Sequence, residues 1–186
     1  TIREFIQRKQ GEVAIREDFE ETLSDRVDRY LQVKPHEIVP NTHFASLSAE
    51  CSFLFRDGHF YGCIALTQAV AEALVRFLCK TNFIRPNNDF KKNVDKLSGG
   101  GFIADKVKES LLTIWQRRND YHHLNPNVAT DRQMLEDLAR EKVRLLVEVE
   151  SEVFRFTVVD GKISLEQPKY WKVNGDKVQV FLRLEP

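Results

Sequence analysis

His59 to Lys80, HFYGCIALTQAVAEALVRFLCK, is the segment on which the fold turns. Phe60, Tyr61, Ile64, Leu66, Val70, Leu74, Val75, Phe77 and Leu78 surround most of a helix drawn through it. Gln68, Glu72, Arg76 and Lys80, four apart, form its polar stripe, and Glu72 and Arg76 have the spacing of a favourable ion pair. A helix that is apolar on nearly all sides must be packed on nearly all sides. This one is therefore expected at the centre of a helical bundle.

On its N-terminal side, Phe44, Leu47, Cys51, Leu54 and Phe55 recur at three- and four-residue intervals. They predict a helix started by Asn41 or Thr42 and closed near Asp57-Gly58. Pro35 and Pro40 bracket a turn region, and Phe19, Leu23, Val27 and Leu31 give an earlier, highly charged helix one narrow apolar face. On the C-terminal side, Arg85 to Asp89 reads as a loop and a short helix follows to about Leu97. Ser98-Gly99-Gly100-Gly101 breaks that helix. Without the Lys-Ser/Thr pair of a phosphate loop, the glycine run is a connector.

Ile103, Val107, Leu111, Ile114 and Trp115 carry the next helix into Arg117–His123, and Asn125-Pro126 is expected to end it. Thr130 with Gln133 makes a capping box for a last long helix, striped by Leu135, Leu138, Leu145, Val149 and Val153. After about Phe154 the apolar period drops to two. Asp160-Gly161 and Asn174-Gly175 are hairpin-turn dipeptides, so strands are expected near 155–159, 162–166, 169–173 and 177–184. The fold class is thus mainly α. It has an N-terminal helix and linker (1–40), a helical bundle (41–155) and a small antiparallel β appendage (156–186), all in one compact unit.

With 42% hydrophobic and 30% charged residues among 186, the chain is too apolar for disorder. Its 13 phenylalanines point to a phenylalanine-rich core. Lys plus Arg equals Asp plus Glu at 28 each, so no global field draws it toward nucleic acid or an anionic membrane. An RNA-binding role needs a local basic patch. Cys51, Cys63 and Cys79 are odd in number and widely spaced, and two of them fall on apolar helical stretches, where a reduced, buried thiol is expected. There is no CxxC, no Cys/His metal pattern, no signal peptide and no stretch near the roughly 20 apolar residues of a membrane span. No metal, cofactor or membrane is expected, and cytoplasm is the default location. Opening on Thr1 and not Met, the sequence is expected to be trimmed or part of a longer protein.

Chemistry-bearing residues crowd into Arg117-Arg118-Asn119-Asp120-Tyr121-His122-His123. At about 100° per residue, Arg118 continues the stripe of Val107, Leu111 and Ile114, with Tyr121 and His122 beside it. A guanidinium buried there without a partner costs several kcal/mol, so it pairs with a neighbouring carboxylate or with an anion. Arg118-Asn119, then three residues, then His123, resembles the signature of the HEPN family. Asp57–Leu66, feeding the apolar helix, looks like the early helix pair of that fold, and the resemblance spans roughly 43–155. It implies an up-and-down bundle of four to five helices, usually dimeric, with motifs of two subunits facing one cleft. Many members are metal-independent endoribonucleases, often toxins or antiviral defence effectors. Others keep the fold as silent modules that bind nucleotide, RNA or protein.

Cleaving RNA without a metal turns the ribose 2′-OH on its own phosphate and leaves a 2′,3′-cyclic phosphate. Histidine suits the proton transfer and arginine the phosphoryl charge. The resemblance assigns these roles to His123 and Arg118, with Asn119 positioning. Asp120, three residues before His123, either orients a histidine or is solvated. In an unbroken helix Arg118 and His123 diverge by about 140°, whereas Arg118 and His122 lie one turn apart. Either the helix unwinds before Pro126, or the two groups come from different subunits, or His122 is the working base; the family spacing favours His123. A family subtype modified by an antitoxin has tyrosine two residues after the histidine. Here Asn125 stands there, and Tyr121 reads as packing. Lys91, Lys92, Lys96, Lys106, Lys108 and Arg117 form either a basic rim or solvated faces, with Lys106 and Arg117 the candidate RNA contacts. His36, His43 and His59 are scattered singly. The expected partners are RNA, a second copy and, for a toxin, an inhibitory protein. The alternative to a nuclease is a silent HEPN-like module, and beyond that a helical domain whose Arg/His cluster is a salt-bridge network.

Overall fold

Helix α3, Phe60–Thr81, occupies the centre. The structure, a computed structural model, describes residues 1–34, 36–123, 125–126, 128, 131–175 and 177–183. Around α3 pack α2 (Ala45–Arg56), α4 (Phe90–Gly99), α5 (Asp105–Trp115), the single-turn α6 (Arg118–His122) and α7 (Arg132–Val153). Cys63, Ile64, Ala71, Leu74, Val75, Leu78 and Cys79 of α3 are wholly buried. By length and mean hydropathy (1.5) α3 is apolar enough to cross a membrane, and here that character serves the bundle centre. The three cysteines are free and buried. Burial pushes the Cys51 thiol up to about 12 and holds Cys63 above its ordinary range as well.

Several expectations change on packing. Gln68 belongs to no solvent stripe: it is fully buried, with its amide turned to α5. Helix α2 is capped neither by Asn41 nor by Thr42. Its N-cap is Phe44, which makes no side-chain cap and instead sits in the core edge-on to Phe77, 5.8 Å between ring centres. The buried face of α7 is Ala139, Lys142, Val143, Leu146, Val149, Glu150 and Val153, while Leu135, Leu138 and Leu145 lie half-buried on its flank. The face turned because α7 packs on both α3 and α5, the tip of Lys142 reaching the α5 carbonyls and that of Glu150 reaching Arg183. Asp131 caps α7 by accepting from the Met134 amide at 2.9 Å. The anticipated Thr130 cap, like Pro35 and the end of the last strand at Leu184, falls outside the described residues.

Beyond α7 come β2 (Phe156–Val159), β3 (Lys162–Leu165), a 3₁₀ turn (Pro168–Tyr170), β4 (Lys172–Asn174) and β5 (Lys177–Leu182). Asp160 and Gly161, at φ 51° and 72°, close the β2–β3 hairpin with the paired positive φ angles of a type I′ turn. Strand β5 pairs antiparallel with β4 and, on its other edge, with β1 (Ile38–Pro40), a strand drawn from the expected turn region. β1 lies at the sheet edge, where a proline costs no ladder bond. The exposed α1, Ile2–Gln32, precedes it.

One ion pair ties the sheet to the bundle. Arg183 donates to both oxygens of Glu150 at 2.8 and 2.9 Å, and also to the His36 carbonyl at 3.1 Å. The two side chains are 2% and 1% exposed. Arg183→Met leaves the buried Glu150 without its partner, so it is expected to cost about 3–5 kcal/mol in urea unfolding. Adding Glu150→Gln should recover part of that loss, because no charge then remains unpaired.

Candidate nucleic-acid site

The Arg/His segment does not prolong α5. The helix stops at Trp115, Gln116 opens to ψ 141° and Arg117 takes the left-handed conformation at φ 58°. Neither proline nor glycine causes the break. Helix ends leave carbonyls without partners, and here side chains from two other helices reach them. Lys142 Nζ donates to the carbonyls of Thr113 (3.3 Å), Ile114 (2.6 Å) and Gln116 (3.0 Å). Gln68 Nε2 donates to those of Ile114 (3.0 Å) and Gln116 (3.1 Å). Lys142 is 1% exposed, and burial pulls its pKa from 10.5 to about 8. A cation at the negative end of a helix is well placed. A left-handed non-glycine residue costs roughly 1–2 kcal/mol. Local contacts offset it: Arg117 Nε donates to Asp120 at 3.1 Å, and its guanidinium lies over the Tyr121 ring at 5.7 Å. Tyr121 is buried, its carbonyl accepting from the Tyr61 hydroxyl of α3 at 2.9 Å.

The elbow redistributes the cluster. Arg118 leaves the α5 stripe and sets its guanidinium over Trp115, 5.1 Å from the ring centre. Trp115 is itself stacked on Phe90 at 4.1 Å and 9°. Among the described residues no carboxylate pairs with Arg118, and its Nε is buried without a hydrogen-bond partner. Asp120 does not orient a histidine; its oxygens accept from Arg117 and Asn125. His122, on the Arg118 side of α6, is half-buried against α3 with Nε2 closed off from solvent and unpartnered. Burial, and secondly the Arg118 charge, lower its pKa below 6.5, while the Ala65 carbonyl works the other way. His123, just past the helix, is exposed, as is Asn119.

Lys91, Leu112, Trp115, Gln116, Arg117, Arg118 and Asn119 line a groove of about 650 Å³. Among the described residues it is lined by three cations, two side-chain amides and no acid. A second hollow of about 610 Å³ shares Arg117 and runs along α7, but Asp137, Glu141 and Glu148 there balance Arg117, Arg140 and Arg144. In the first hollow Arg117 is matched by Asp120 at 3.1 Å, which leaves Lys91 and Arg118 as the cations that would draw an anion. The wider basic rim does not assemble. Lys106 pairs with Glu148 at 3.7 Å beside a different crevice, and Lys108 and Lys92 meet Asp95 and Asp89. Among the described residues no three His, Cys, Asp or Glu side chains gather as a metal site.

Trp115, Gln68 and Lys142 escaped the sequence reading as site-building residues. For the last two a signal was present: Lys142 fills the gap between Leu138 and Leu145, and Gln68 lies between Ile64 and Ala71. A polar residue at an apolar-stripe position marks a buried polar contact. The chain matches no family model, no curated protein and no solved structure.

Two measurements test this arrangement. By NMR, His122 should titrate below 6.5 in the wild type and move up in Arg118→Gln. A ring depressed in the folded state leaves stability intact above pH 6.5 and withdraws it as pH falls from 6.5 through the lowered value. Stability should accordingly decline in that window, and less so in His122→Gln. Lys142→Met strips the α5 carbonyls of their ammonium and is expected to lower unfolding free energy by about 2 kcal/mol. A variant as stable as the wild type would show that the elbow stands without it.

Proposed function

We propose that the chain is a metal-independent endoribonuclease of HEPN type that holds the RNA backbone in the α5–α6 groove. The carrying observation is Arg118: a guanidinium seated on Trp115 and, among the described residues, without a carboxylate partner, in a groove whose described charged residues are cations. A planar fork so placed suits a phosphodiester and the charge that develops on its oxygens in cleavage. Lys91 and Arg117 hold flanking phosphates, while Asn119 and Gln116 offer amide contacts. In this reading His123, exposed beyond the last turn of α6, takes the 2′-OH proton, from its own groove or that of a second copy. His122 is the weaker base, because its Nε2 faces protein. Lys106 has no part in it. The chain works in the cytoplasm as a toxin or defence effector, paired with a second copy and restrained, if a toxin, by an inhibitory protein.

The second reading is a silent RNA- or nucleotide-binding module. His123 does not line the groove, and that favours it.

RNA incubated with the full chain in excess EDTA decides between the two. The nuclease reading expects cleavage to 2′,3′-cyclic phosphate ends, falling about 10²–10³-fold in Arg118→Ala and 10²–10⁴-fold in His123→Ala. Intact RNA, bound in a salt-dependent way that Arg118→Ala weakens, selects the silent module. Intact RNA with no binding overturns both.

A further inference from the structure

The feature left unused is α1. Every residue from 1 to 21 is exposed, and only the helix's C-terminal end meets the body, through Arg26–Asp57 (3.3 Å) and Arg29–Glu136 (3.2 Å). At about 1.5 Å per residue its 31 residues make a rod roughly 46 Å long. Within one side of that rod, interrupted there by Lys9, Glu12, Arg16 and Glu20, fall Ile2, Phe5, Ile6, Val13, Phe19, Leu23, Val27 and Leu31. Their exposure runs from 44% to 81%, including the Phe19–Leu31 ridge beside the body, so the body does not cover this side. Long helices owe most of their stability to packing of such a face.

Charge along the rod identifies the occupant. Between Ile2 and Arg16 stand Arg3, Arg8, Lys9 and Arg16 against Glu4 and Glu12. Between Glu17 and Gln32 stand Glu17, Asp18, Glu20, Glu21, Asp25 and Asp28 against Arg26 and Arg29, the two arginines committed to the body. Among the described residues Arg3, Arg16, Glu17, Asp18, Glu20 and Glu21 form no ion pair. A rod basic in one half and acidic in the other is complementary to itself turned end for end. An anionic lipid surface or a nucleic acid would be repelled by the acidic half.

We propose that α1 pairs antiparallel with α1 of a second copy of this chain, the apolar sides facing and the basic half of each lying on the acidic half of the other. With the two-fold axis at Asp18, Arg16 lies opposite Glu20 of the second copy, Val13 opposite Leu23 and Phe5 opposite Leu31. The contact is isologous, so it closes at two copies. It uses no residue of the α5–α6 groove; the nuclease reading also pairs two copies, but that reading is tested by RNA cleavage and this contact by substitutions within α1.

The test combines light scattering on the full chain with spin labels on Lys9→Cys. The wild type should be a dimer at tens of micromolar. Val13→Glu and Leu23→Glu, each altering an exposed position, should weaken dimerisation at least tenfold with the melting temperature of the body unchanged. The labels of an antiparallel pair should lie about 27 Å apart along the axis. A wild type that stays monomeric at 100 µM (roughly the ceiling for a useful self-association) overturns the proposal. So does a dimer that survives both substitutions, or labels within about 10 Å, the spacing of parallel neighbours.

Discussion

An ammonium group from α7 holds the end of α5, and the geometry of the charged segment depends on it. Nothing in the local sequence stops a helix at Trp115. The following residues are helix-compatible, and the nearest proline stands at 126. The helix ends because Lys142, helped by Gln68, takes the carbonyls that the next turn would have used. Once those oxygens are satisfied from the side, the backbone is free to open at Gln116 and reverse at Arg117. A buried lysine is costly to desolvate, and a left-handed arginine is costly locally. Each is tolerable because the other exists: the reversal exposes the carbonyls, and the lysine satisfies them.

Charge across the molecule is sorted even though it sums to zero. Glu150 and Arg183 cancel inside the core, and Lys92, Lys106 and Lys108 are matched by acids on their own surfaces. Two places where charge is left uncancelled bear on the proposals. In the elbow groove Arg118 rests on an aromatic plate with no acid among the described residues that line the hollow. Along α1, cations and carboxylates are separated lengthwise. Net charge could reveal neither, since cancellation is a matter of distance and not of count.

The parts of the fold that were legible in the sequence are those set by neighbours along the chain. The apolar wrap of α3, the stripe of α2 and the glycine connector before α5 are local patterns. So are the hairpin signals, and the elements appear close to where those patterns put them, except that the strand expected near 169–173 is a 3₁₀ turn at Pro168–Tyr170 followed by β4. The misread positions are polar residues in apolar company. Gln68 passed as part of a solvent stripe, and Lys142 was a gap in the α7 stripe. Strand β1 was invisible, because three residues acquire strand identity only when β5 arrives from 140 or so positions away to pair with them. For the site, composition located the cluster but not its division of labour. A continuous helix would have placed Arg118 on the buried stripe and Asp120 near His123. The elbow instead gives Asp120 to Arg117, His122 to α3 and Arg118 to Trp115.

Sequence alone therefore determined the helical class, the central helix and the β appendage, and it marked Arg117–His123 by its density of charged, amide and imidazole side chains. Each follows from periodicity or composition within a short window. Tertiary structure decided where α5 stops, which cation faces an open groove and which histidine faces solvent. Those outcomes depend on whether a carbonyl or a guanidinium meets water, a lysine or an aromatic ring, and the groups that settle it come from elements far away along the chain.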